Sequence, residues 1–245
     1  MYDKNPFEPI LNFQKQLNEM SSKIGNMFQD VMPKIEFPKI TFPEINYEDI
    51  RAKVKHNSRY GWTLTGGMGF GDYLDNDLRK MNQVQLDECF FQYYTTNNWS
   101  YFNETEKHLL DSVEPQRKDL MKDCLDNFVN EKNRIAIPSL MTLIEGEVTD
   151  ILETKDYGGK LKDKMKKAAK DEEEQFDQIA TFSTYHYLRT ELYKQHDFDE
   201  ERRNMINRHW VLHGRDNPNV WTKYDTLRLI NVLSSLQFIK EYKDK

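Results

Sequence analysis

Three prolines spaced five residues apart, Pro33, Pro38 and Pro43, do most to limit what this chain can fold into. Each lacks a backbone donor and disfavours helix at the residue before it, so residues 33–47, a quasi-repeat of Pro-Lys/Glu-Ile-x-Phe/Tyr, are expected to form an extended arm. Before the arm, Ile10, Phe13, Leu17, Met20, Ile24, Met27 and Val31 advance by alternating steps of three and four, which places them on one stripe of an amphipathic helix over Phe7 to Met32. About three heptads make a poor free rod, so this stripe needs the body of the protein or a second subunit. Its polar face mixes Lys, Gln, Asn, Glu and Ser, where a membrane-surface helix would be strongly basic. Residues 1–48 therefore read as an N-terminal helix and a Pro-rich arm, and residues 49–245 as a helical domain.

The remainder carries helical spacing and no strand alternation, giving an all-α fold class. With 38% hydrophobic residues, 14 Phe, 13 Tyr and 4 Trp in 245, aromatic groups supply enough buried area for a real core. Cys89 and Cys124 are the two cysteines, neither in a CxxC spacing, which argues against a disulfide framework and for a reducing, cytoplasmic setting. No apolar run approaches the ~20 residues that span a bilayer, and the N-terminus lacks a signal-peptide pattern, so no membrane partner is expected. A net charge of −6 disfavours a protein that coats duplex nucleic acid but permits a small RNA-cutting pocket.

The glycine-rich stretch from Thr65 to Gly71 lacks the Lys-Ser/Thr ending and β-α-β context of a phosphate loop, and is expected to be a flexible turn. Cys89 to Tyr94 should pack its aromatics internally. Ile137 to Gly146 reads as a core helix with Pro138 in its first turn and one carboxylate, Glu145, whose expected partner is Arg208 or Arg203. Gly158-Gly159 breaks the chain ahead of a basic run, Lys160 to Lys170, answered by Asp171 to Glu174; such alternation usually marks a solvated face.

The most informative segment is Asn207-Arg208-His209-Trp210-Val211-Leu212-His213-Gly214. Asp197 to Glu200 resembles a capping box, opening a helix with apolar Met205, Ile206, Val211 and Leu212 that stops at Gly214. A turn over Arg215 to Asn219 follows, then a last amphipathic helix burying Leu227, Ile230, Leu233 and Leu236. An Arg followed by a polar residue, with His-Gly closing the helix ahead of a turn and a final helix, resembles the HEPN superfamily, whose signature is Arg, four to six residues, then His. The likeness covers residues 132–240 and leaves the first 130 residues without a family.

The resemblance implies a helical-bundle ribonuclease needing no metal or cofactor, of the kind found as toxins and abortive-infection effectors in phage defence. It further implies a homodimer with a composite active site, RNA as substrate, and an antitoxin or regulatory partner. The chemistry stands independently of that likeness. RNA carries a 2′-OH beside its scissile phosphate, so a proton-exchanging imidazole and a fixed guanidinium go far toward cleaving it. Arg208, His213 and His209 are the candidate catalytic residues, with Glu145, Arg203 and Asn204 as auxiliaries; a nested register, Arg203-Asn204 to His209, remains open. On an ideal helix positions 208 and 213 point about 140° apart, which is where a second copy would help. Alternatives are a non-catalytic HEPN-like scaffold that binds a nucleotide or protein, and a metal hydrolase using His209 and His213 at i, i+4 with Asp216 as third ligand, though an HExxH glutamate is missing.

Overall fold

A computed structural model describes residues 46–157, 160–161, 163–164 and 179–243. The amphipathic helix expected over 7–32, the arm up to residue 45, the 158–159 break and most of the basic run lie outside these residues. Among the described residues all regular structure is helical, with no strand, as the spacing predicts. Nor is any described helix long and apolar enough to cross a membrane.

In chain order the helices are α1 (Tyr47–Arg59), the short α2 (Phe70–Tyr73), α3 (Gln83–Ser112), α4 (Lys118–Val129), α5 (Asn133–Ile151), α6 (Ile179–Tyr187), α7 (Arg208–Leu212) and α8 (Lys223–Lys243). Helix α8 is the axis: it packs against α3, α4, α5 and α6. Its expected apolar side is correct, since Leu227, Ile230, Leu233 and Leu236 are all fully buried. The helix is not amphipathic, however. Every residue from Asp225 through Gln237 is buried, polar ones included.

Those polar residues serve a chain segment that has no helical partner of its own. Residues 62–65 cross the core without helical bonding, and a backbone N–H left alone there would cost roughly 1–3 kcal/mol. Asn231 Oδ1 accepts from the N–H of Thr63 at 2.8 Å and from its hydroxyl at 2.8 Å, while Ser183 Oγ accepts from the N–H of Leu64 at 3.1 Å. The glycine-rich stretch is thus a turn, as its composition suggests, but it is seated on the core: a Cβ at Gly66 would lie 2.5 Å from the Phe238 ring. Gly61, which enters the crossing with φ +88°, has the Arg228 side chain where its Cβ would be.

Arg228 itself, 4% exposed, lies between two carboxylates. Its Nε and Nη2 donate to Asp87 on α3 at 3.1 and 2.6 Å, and its Nη1 donates to Asp225 at 2.8 Å. Asp87 also accepts from Trp62 Nε1 at 3.0 Å and Gln83 Nε2 at 2.9 Å, and Asp225 closes the first turn of α8 by accepting from Thr222 N–H and Oγ1, both at 2.8 Å. A buried ion pair offsets its desolvation only when every donor and acceptor is filled in this way.

One local expectation needs correction. Pro138 does not open α5; the helix begins a turn earlier at Asn133, where the carbonyl of Lys132 already accepts from Ile135 and Ala136 and the Asn133 side chain accepts from Thr226 at 2.7 Å. Helix α3 is interrupted at Thr96–Trp99, where Asn97, Asn98 and Trp99 have positive φ. Asparagine tolerates that region; Trp99 is held there by edge-on contact with Phe91 and Phe102, whose rings lie 6.3 and 5.4 Å away. The Cys89 to Tyr94 run packs inward through Phe90 and Tyr94, with Phe90 stacked on Trp62 at 4.7 Å.

Because both carboxylates would be stranded in the core, Arg228→Ala should lower unfolding free energy by about 3–5 kcal/mol. Urea unfolding followed by circular dichroism measures it; a loss below about 1 kcal/mol would show that the clasp is not structural.

Candidate functional site

The capping box expected at Asp197 to Glu200 does not open a helix. Residues 197–207 run irregularly, and α7 spans only Arg208–Leu212. Side-chain bonds to the neighbouring chain explain why. Asn207 Nδ2 donates to the carbonyls of Glu191 and Lys194 at 3.3 and 2.8 Å, and Arg202 pairs with Asp216 at 2.5 Å, while Arg203 bonds the Glu191 carboxylate. These ties pin the segment in an extended path along which Met205 and Ile206 are buried without helical periodicity. Asn207 is the real N-cap, its Oδ1 accepting from His209 and Trp210 N–H at 3.0 and 3.3 Å. At the other end His213 is the C-cap, and Gly214 follows with φ +66°, the glycine stop read from the sequence.

Of the expected residues, the structure brings together two pairs. Arg208 meets Glu145 on α5, its Nε and Nη2 donating to one carboxylate oxygen at 3.1 and 2.7 Å, with both side chains about four-fifths buried. His209 and His213, one turn apart, have ring centroids 4.6 Å apart at 66°. Arg203 faces Glu191 instead of Glu145, and Asn204 is exposed on a bend; the nested Arg203–His209 register therefore has no helix to hold it. Leu212, expected in the apolar set, is 39% exposed, and Trp210 and Val211 take the buried side. The fully buried carboxylate of α5 is Glu147, 0% exposed, which Arg117 reaches at 3.0 Å; Glu145 lies on the flank.

Four side chains that sequence spacing did not single out complete the site. Phe198 stacks on His209 at 4.6 Å with the planes 3° apart, meets His213 edge-on at 5.9 Å, and receives the Arg215 guanidinium 5.4 Å from its centroid. Tyr193 lies under Arg208, its ring centre 5.9 Å from the guanidinium carbon, and burial holds its phenol well above the usual range. His196 stacks on Trp210 at 4.9 Å, and its Nδ1 is 2.5 Å from Glu200. Tyr193 follows a π-helical turn, Leu188–Leu192, which re-aims the chain here. Phe198 could not have been found by periodicity, because it reaches α7 through an irregular loop.

The electrostatics favour an uncharged His209. Partial burial, then the neighbouring His213 and Arg208, lower its pKa from the imidazole value, with Asp197 opposing weakly. Arg208 keeps Nη1 without a hydrogen-bond partner among the described residues, so it retains a donor for an anion while Glu145 fixes its position. The arrangement offers a neutral imidazole that can take a proton, a second, exposed imidazole beside it, and guanidinium groups within the same surface. Asp216, the third ligand that a zinc reading would require, accepts instead from Arg202 and from Trp221 Nε1 at 2.9 Å. Among the described residues no group of three His, Cys, Asp or Glu side chains is placed to hold a metal ion.

The ring of His209 should titrate below the ~6.5 of an unperturbed imidazole, because partial burial, then its neighbours His213 and Arg208, disfavour its protonated form. His213→Gln removes one of them and should move the midpoint upward. Proton NMR titration of the wild type and the variant measures both; a His209 midpoint at or above the unperturbed value would contradict the described surroundings.

Compared with known proteins, the chain matches no family model, no curated protein and no solved structure.

Proposed function

We propose that this protein is a metal-independent endoribonuclease whose site is the end of α7, and that it acts as a HEPN-type toxin or phage-defence effector. The observation that carries the reading is the pair of imidazoles, His209 and His213, 4.6 Å apart at an open helix end beside Arg208. Two histidines and a guanidinium are what intramolecular RNA transesterification needs. Neutral His209 removes the proton of the 2′-OH, and O2′ attacks the adjacent phosphorus. His213 gives a proton to the departing O5′, leaving a 2′,3′-cyclic phosphate and a 5′-hydroxyl. Arg208 Nη1 faces the phosphate oxygens as negative charge gathers on them.

Within one chain, Arg208 turns toward α5 and His213 toward Phe198. A homodimer in which α7 of one copy meets α7 of the other would bring the guanidinium of one across to the imidazoles of its partner. The alternative, a non-catalytic scaffold, is favoured by the Arg208–Glu145 pair, which ties α7 to α5 whether or not RNA is cut. An antitoxin or regulatory partner and a cytoplasmic setting belong to the proposal.

The purified protein should cleave single-stranded RNA in the presence of a chelator, and His213→Ala should slow cleavage by at least ~100-fold without loss of fold. Induced expression should arrest growth with the wild type and not with the variant. If the wild type neither degrades RNA nor arrests growth more than His213→Ala, the scaffold reading stands in place of the nuclease.

A further inference from the structure

Away from α7, the first half of α3 and the turns before it enclose a cavity of about 430 Å³, a size that accepts a small ligand or a few side chains. Its floor is apolar: Met68, Leu78 and Phe90 are each at most 6% exposed, and Met81 closes one side. Its rim is acidic, carrying Asp72, Asp75 and Asp77, all exposed. Asp77 is matched by Lys80 at 2.6 Å, whereas Asp72 and Asp75 have no cationic partner among the described residues. None of the α7 residues lines this cavity, so its role is separate from the proposed chemistry.

The chain itself leads to this cavity. Asp49, in the first turn of α1, pairs with Arg79 at 2.8 Å, and Arg79 belongs to the 3-10 turn Leu78–Lys80 that walls the cavity. Helix α1 packs against this turn, and Asn46 is its N-cap. Immediately before it come the repeats Pro38-Lys39-Ile40-Thr41-Phe42 and Pro43-Glu44-Ile45. At up to ~3.5 Å per residue, the eight residues from 38 to 45 can span up to ~28 Å. Proline also reduces the conformational freedom that docking must remove.

We propose that the cavity is the docking site of the chain's own Pro-rich arm, with Phe42 and Ile40 entering between Met68, Met81 and Phe90 and Lys39 meeting Asp72 and Asp75. Composition matches on both counts: an aromatic ring suits thioether and aromatic walls, and the one cation of this repeat suits a rim with two unmatched carboxylates. The arm then acts as a strap that joins the N-terminal segment to the helical body.

Cys89 lines the cavity and is partly exposed, so it reports occupancy directly, while Cys124, 1% exposed, serves as an internal control. In the full chain Cys89 should react slowly with a maleimide, followed by peptide mass spectrometry. Lys39→Glu combined with Phe42→Ala should speed that reaction at least tenfold while Cys124 stays protected. Asp72→Lys with Asp75→Lys should do the same, and adding Lys39→Glu to that pair should slow it again. In an Ile40→Cys variant, mild oxidation should bridge the introduced thiol to Cys89 within one chain. A bridge between two chains would overturn the proposal in favour of an arm exchanged between copies. Equal Cys89 rates in wild type and arm variants, with no bridge, would overturn it and leave the cavity to a separate ligand.

Discussion

The guanidinium of Arg228, held between Asp87 and Asp225, sets the order of the whole bundle. It joins α3 to α8, and through Asp87 it also holds the indole of Trp62, where the chain crosses the core. Remove it and two buried carboxylates lose their cation together, the same two that hold the Trp62 indole and close the first turn of α8. Apolar packing alone would leave α8 free to rotate, because it is buried on all sides and has no polar face to orient it. The fixed directions of the bonds from Arg228 to Asp87 and from Asn231 and Ser235 to Thr63 supply that orientation.

This explains what could be read from the chain and what could not. The buried leucines and Ile230 of α8 follow helical spacing and were legible, as were the stop at Gly214 and the pairing of Glu145 with an arginine of the neighbouring segment. The polar residues of α8 read as a solvent face because spacing registers residue type and not the needs of a distant segment. Asn231 and Ser235 are interior because they bond Thr63, some 170 residues away in sequence, and Arg228 because it bonds Asp87, some 140 away. The same limit misplaced the helix before Arg208. Asp197 to Glu200 has capping composition, yet Arg202, Arg203 and Asn207 bond to Asp216, Glu191 and Lys194, and those tertiary ties outweigh a local preference of about 1 kcal/mol.

At the candidate site, the shortened α7 matters more than its helicity. Six residues between an asparagine cap and a glycine stop leave His209 and His213 on one side of the helix, at its open end, and turn Arg208 toward α5. Sequence spacing suggested a pair made of Arg208 and His213; the packing pairs the two histidines and anchors the arginine. Phe198 then biases the result, because its ring covers one face of His209 and draws Arg215 into the cluster. The proposed division of labour, with His209 as base and His213 as acid, follows from the more covered, uncharged position of the first and the exposure of the second.

The chemical ends of the RNA products report most directly on the proposed attack of a 2′-hydroxyl without a metal. Mass spectrometry of a short RNA cut by the chelator-treated protein should find 2′,3′-cyclic phosphate on one fragment and 5′-hydroxyl on the other, and a substrate with 2′-deoxyribose at the cleavage position should remain intact. Fragments ending in 3′-hydroxyl and 5′-phosphate, or cutting of the deoxy-substituted site, would contradict it.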